Sequence, residues 1–189
     1  MKLGWNQGSW TNQPENSIEA GDELWVSAKS ESDYWNRTSY GFIHDSGHGL
    51  IHELKPNSAM QLEFYMDFDQ QFDQAGLLLF ADNENWTKAG VEFSDGQPQV
   101  GAVVTNHYSD WSVSPVPDWK NSWVRVRVSR TESAVTIRVG VGELRLIRVA
   151  PINPELNWSC GPMLCSPTRE GLTVRFRNWE LTDADSSLH

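Results

Sequence analysis

Apolar residues recur at every second position along short stretches of this chain, with almost none of the three-and-four spacing of an amphipathic helix. Val124, Val126 and Val128 alternate with Trp123, Arg125 and Arg127. Val135, Ile137 and Val139 share one side of the next run. Leu62, Phe64 and Met66 alternate with Glu63, Tyr65 and Asp67, and Leu172, Val174 and Phe176 with Thr173, Arg175 and Arg177. A strand sends successive side chains to opposite faces, so each run predicts a half-buried strand. AGLLLFA (residues 75–81) is continuously apolar and predicts a central strand covered on both faces. Turn formers separate the runs, and Asp95-Gly96 between two of them is a hairpin signal. About a dozen such runs, with no helical segment between them, predict an all-β fold: a two-sheet antiparallel jelly-roll sandwich. No linker or repeat divides the chain. One domain is therefore expected over 1–182, with a frayed polar tail at 183–189.

Composition narrows the class of protein. The chain has 189 residues, 39% hydrophobic and 21% charged, which suits a folded domain with a sizeable core. Its net charge of -10 argues against nucleic acid and against an anionic membrane surface, both of which require clustered Lys and Arg. The arginines opposite the valines (Arg125, Arg127, Arg138, Arg175, Arg177) read as a solvated outer face, with an anion-binding patch as the alternative. MKLGWNQGSW at the start has no apolar h-region, and no apolar run approaches a membrane span. A cytoplasmic location is expected, with Cys160 and Cys165 as free, buried thiols. Ten tryptophans exceed what one small core needs.

The segment NWTKAGVEFSDG (residues 85–96) concentrates candidate chemistry. By alternation Thr87, Ala89, Val91 and Phe93 face a core, and Trp86, Lys88, Gly90 and Glu92 form a row on the other side. Lys88 and Glu92 lie roughly 13 Å apart along a strand, too far to pair directly. Each therefore requires a partner on a neighbouring strand or a ligand between them. Gly90 leaves space for close approach.

Four blocks in order, SDYWNRTSYGFIHDSGH, FDQAGLLLFADNENWTKAGVEFSDG, VVTNHYSDWSVSP and CGPMLCSPTREGLTVRFRNWEL, resemble the DUF1349 family of concanavalin A-like β-sandwiches. The resemblance spans about residues 21–181. It implies a curved two-sheet sandwich with a concave face, related in shape to legume-lectin and glucanase domains. On such a face, flat aromatic rings stack on sugar C–H faces while carboxylate, amide and guanidinium groups bind hydroxyls. The candidate ligand-binding residues are Trp35, Arg37, Tyr40, Gln74, Trp86, Lys88, Glu92, Asp110 and Trp111.

Three functions follow. The first is a carbohydrate-binding protein with a saccharide on the concave face. The second is a sugar-active enzyme using Glu92 with Lys88, where the ammonium would keep the carboxylate ionised and favour a base. The third is an interaction module that regulates a metabolic enzyme, with exposed Trp side chains as hot spots. No E-x-D-x-x-E run of the glucanases occurs. His44, His48 and His52 are split by glycines and do not converge on one metal ion. Neither metal nor cofactor is expected, and the pattern leaves the oligomeric state open.

Overall fold

The period-two runs become the strands of two large sheets. The structure is a computed structural model and describes residues 1–188. In chain order the strands are β1 (Ser9–Trp10), β2 (Asn16–Ala20), β3 (Glu23–Ser27), β4 (Tyr34–Asn36), β5 (Ile43–Asp45), β6 (His48–Glu53), β7 (Ser58–Met66) and β8 (Gln74–Asp82). Then follow β9 (Asn85–Ser94), β10 (Gln97–Asn106), β11 (Tyr108–Pro115), β12 (Ser122–Arg130), β13 (Ala134–Gly140), β14 (Arg145–Pro151), β15 (Ser159–Cys165) and β16 (Thr173–Asp183). The first sheet has the order β1-β6-β15-β8-β9-β10-β11, and the second β14-β13-β12-β7-β16-β3-β2. Paired strands run antiparallel. Helix is limited to two short 3₁₀ turns among the described residues, none long and apolar enough to cross a membrane.

The main core lies between the sheets. From the first sheet it receives Ala75, Leu77 and Leu79 of β8 with Ala89 and Val91 of β9, and from the second the valines of β12 and β13. The predicted alternation therefore holds on both sheets. The continuous run 75–81 forms β8, flanked by β15 and β9, and Leu78 points away from the main core.

Leu78 is buried nonetheless, because the first sheet has a second apolar layer on its outer face. Tyr34, Leu78, Trp86, Val103, Met163 and Cys165 form it. The cover is the segment that crosses this face between β3 and β6 and carries the small hairpin β4–β5. Tyr34 packs against Trp86 with ring centroids 5.5 Å apart, and its hydroxyl shares a hydrogen bond of 2.6 Å with Thr11. Gly47 permits the close return: a Cβ there would strike the Tyr34 ring and lie 2.7 Å from Cys165 Sγ.

On the outer face of the second sheet the arginines are paired within the chain. Arg125 and Arg177 both reach Glu63, at 2.8 and 2.7 Å. Arg175 lies over the Tyr65 ring at 4.2 Å. Arg127 and Arg138 both engage the Asp185 side chain, and Arg138 also donates to the Leu188 carbonyl at 2.9 Å. His189 lies outside the described residues. Cys160 and Cys165 are free and buried.

Candidate functional site

A cleft of about 670 Å³ opens between the covering segment and the outer face of the first sheet. Its floor is the outer face of β8 and β9. Gln74 faces Glu92 across these strands, Gly76 faces Gly90, and Leu78 faces Lys88. The next strand continues the middle row with Gly101 opposite Gly90. The floor thus places a trough of three glycines between the Gln74–Glu92 pair and Lys88.

Asp33 descends on this floor from the covering segment. Its Oδ1 accepts from Lys88 Nζ at 2.8 Å, from Gln74 Nε2 at 3.3 Å and from the Tyr34 backbone N–H at 2.8 Å. Its backbone carbonyl accepts from Ser46 and Gly47, each at 3.0 Å, which holds the two arms of the segment together. Lys88 is only 6% exposed. Burial is the largest influence and opposes its charge, but Asp33, Cys165 and Glu92 together outweigh it and hold the ammonium above the usual lysine range.

Glu92 behaves differently. Burial pushes its carboxyl up to about 7, against the pull of Lys88 and with a further push from Asp33. Its Oε1 is buried and has no hydrogen-bond partner. Lys88 favours the ionised form of Glu92, as the sequence suggested, but burial outweighs that pull. A proton can be gained or lost here near neutrality.

The walls are aromatic. Trp35 meets Trp111 edge-on at 6.4 Å and Tyr40 edge-on at 5.8 Å. Tyr40 stacks on Phe42 at 5.2 Å, and Phe42 meets His44 at 4.6 Å. Phe72, Pro167 and Thr168 also line the cleft. Tyr40, Phe42, Phe72 and Trp111 are all solvent-exposed, so the rim is an apolar surface open to a ligand.

The structure brings together Trp35, Tyr40, Gln74, Lys88, Glu92 and Trp111 from the sequence-derived set. Three others lie elsewhere. Trp86, at 1% exposure, is a core residue of the second layer, since the covering segment closes over it through Tyr34. Arg37 is a clip: it donates to the His107 carbonyl at 2.7 Å and to Glu84 at 3.1 Å, tying the β4–β5 tip to neighbouring turns. Asp110 pairs with Val104 rather than Val103, so it projects from the opposite face to Trp111 and meets Arg148 at 2.7 Å. Gly90 also has a different reason to be glycine. A Cβ there would strike the Ala75 carbonyl and lie 2.7 Å from Gly76 Cα, so backbone approach between strands requires it, before any ligand.

Sequence reasoning underweighted Asp33, although SDYW placed a carboxylate beside an indole. It missed Glu31, Phe42, Phe72, Val103, Pro167 and Thr168, whose convergence depends on loop paths that carry no local pattern. His48 accepts from the Lys29 N–H at 3.1 Å, and His52 bonds the Gln7 carbonyl at 3.0 Å, each serving its own loop. Among the described residues no group of three His, Cys, Asp or Glu side chains is placed to hold a metal ion.

Fold and cleft together define a β-sandwich whose one sheet face is partly roofed to make an aromatic-walled, polar-floored cavity. The chain belongs to DUF1349, described as a family of proteins of unknown function, whose model matches residues 10–184. It is 33% identical over 178 residues to "Regulation of enolase protein 1" of Saccharomyces cerevisiae, covering 94% of this chain and 90% of that one. A crystal structure of a functionally unknown protein from Saccharomyces cerevisiae superposes with a TM-score of 0.91 at 32% identity, covering 97% of this chain and all of that one. A xylan β-1,4-xylosidase from Bacillus halodurans C-125 matches 85% of this chain with 33% of its own, at a TM-score of 0.66 and 11% identity. That last likeness concerns the fold alone.

Proposed function

We propose that this protein binds a saccharide in the cleft over β8 and β9. The observation that carries the reading is the wall of Trp35, Tyr40 and Trp111 standing over the floor of Asp33, Gln74, Lys88 and Glu92. Aromatic faces take the apolar face of a sugar ring, and fixed charged and amide groups order its hydroxyls. A volume of about 670 Å³ suits one or two sugar rings. The test is titration of tryptophan fluorescence with mono- and disaccharides, backed by a glycan array. Trp111→Ala should abolish quenching and leave the melting temperature within a few degrees, because Trp111 is 43% exposed. Trp86→Ala should instead destabilise the fold by about 3–5 kcal/mol, as for other buried aromatics. If wild type binds no saccharide, the reading fails.

A second reading is an interaction module that regulates a metabolic enzyme. The relative named for regulation of enolase favours it, as does the exposed rim of Tyr40, Phe42 and Trp111, which has the composition of an interface hot spot. Sedimentation of the protein with purified enolase, using wild type and Trp111→Ala, separates the two readings. Co-sedimentation lost in the variant, with no saccharide bound by wild type, selects the second.

A further inference from the structure

We infer that the ligand of the cleft carries a free primary amine seated beside Glu92, and so is an amino sugar rather than a neutral or acidic one. The inference rests on the saccharide reading and names the class of sugar.

Charge is the first ground. The lining carries three carboxylates, Glu31, Asp33 and Glu92, and one ammonium, Lys88. That ammonium is engaged with Asp33 at 2.8 Å. An acidic sugar would therefore meet carboxylates without an uncommitted lysine or arginine in the lining.

The donors around Glu92 are the second ground. Its Oε1 is buried and unpartnered. The two side chains opposite it, Gln74 on β8 and Gln99 on β10, both carry amides. Gln74 Nε2 donates to Asp33, and Gln99 Nε2 donates to the Ser94 carbonyl at 3.2 Å and hydroxyl at 3.1 Å. Neither amide supplies Glu92, and the Ser94 hydroxyl that reaches its carboxyl leaves Oε1 unpaired. Leaving a buried carboxylate oxygen unpaired is costly, so a donor brought by the ligand gains more here than at a satisfied site.

Space is the third ground. A hollow of about 30 Å³ opens over Gly90 and Gly101, beside Glu92 and below Trp111. It has the size of one water molecule. An ammonium group fits it, whereas the acetamide of an N-acetylated sugar does not. Trp111, which lines both the hollow and the cleft, favours a cation further through its π system.

Proton linkage adds a signature. The charged and titratable groups around Glu92 are Lys88 on its own strand, Asp33 on the covering segment, Asp95 in the following turn and Cys165 on β15. The net effect of burial and these neighbours leaves Glu92 half ionised near pH 7. An ammonium ligand requires the ionised form, so its binding must tighten as pH rises towards 7.

The experiment is calorimetric titration of wild type and Glu92→Gln with glucosamine, glucose, N-acetylglucosamine and glucuronate, at pH 5 and pH 7. Across that range the sugar amine stays largely protonated. Glucosamine should bind wild type at pH 7 about tenfold or more tightly than glucose, the difference between a charged and a neutral hydrogen bond. It should weaken about tenfold or more at pH 5, while glucose changes little. Glu92→Gln, shown to be folded by its melting curve, should lose both the preference and the pH dependence. Equal binding of glucose or N-acetylglucosamine overturns the amine inference and leaves the saccharide reading standing. A pH-independent preference for glucosamine in wild type removes Glu92 from the inference and overturns it. Failure of all four sugars to bind wild type overturns both.

Discussion

Glu92 and Lys88 sit four residues apart on one strand, and burial acts on them in opposite ways. Lys88 gains a carboxylate at 2.8 Å and stays charged. Glu92 gains no partner for Oε1 and is pushed up to about 7. An acid whose proton is held more tightly when folded contributes most stability below its unfolded value, about 4.5 here, and loses that contribution as pH rises through about 7. The loss amounts to about 3 kcal/mol. Urea unfolding of Glu92→Gln should therefore match wild type near pH 4.5 and exceed it by about that amount at pH 8. Equal curves at both values would show that the carboxyl is not desolvated. Lys88→Met is expected to cost about 3 kcal/mol, since it leaves a largely buried Asp33 without its cation. A smaller cost in the Asp33→Asn background would confirm that the two act as a pair. From the sequence alone Lys88 reads as needing a partner on a neighbouring strand or a ligand, because nothing local announces that residues 28–47 will roof it.

At the scale of elements, the hairpin pair β8–β9 is the frame of the site, and its two facing glycines set how closely the strands approach. Gly76 and Gly90 each leave a gap filled by the other strand's backbone, not by ligand. Gly90→Ala is thus a structural change: a Cβ contact on Ala75 and Gly76 backbone atoms cannot be relieved by a rotamer. Thermal melting should show a loss of several kcal/mol, beyond the 1–3 kcal/mol typical of overpacked cores with mobile side chains. A melting temperature unchanged in Gly90→Ala would mean that the strands separate easily there. Asp73 works at the same scale. It is fully buried at the entry to β8, and Arg169 from the β15–β16 loop binds it through Nε and Nη2 at 3.0 and 2.5 Å. That contact brings Pro167 and Thr168 to the edge of the cleft.

For the whole molecule, the two sheets share one continuous core, and the second layer is pinned to the same first sheet. Unfolding is accordingly expected to be a single cooperative transition by calorimetry, by far-ultraviolet circular dichroism lacking a helical signature and by tryptophan fluorescence alike. Two separated transitions would show that the roof over the first sheet melts independently. In the native state both thiols should resist alkylation, since burial pushes both well above the usual cysteine range; denaturation should release two.

The alternation of Val124 to Val128, of Leu62 to Met66 and of Ala89 to Phe93 was sufficient to specify strands, faces and a sandwich, because strand side chains have a period of two whatever their partners. The same period put Lys88 and Glu92 on the face away from the main core, and there they are. What it could not convey is that this outer face has a cover. Trp86 has the same sequence signature as a ligand-stacking indole, and only the arrival of Tyr34 makes it core. Arg37 and Asp110 carry the right chemistry, and the β4–β5 tip and the register of β11 direct them elsewhere. Asp33 meets Lys88 across 55 positions of chain. Strand character is a local property, settled within a few residues. The cleft is a property of long-range register and loop path, where the balance of burial and charge decides which polar groups remain available.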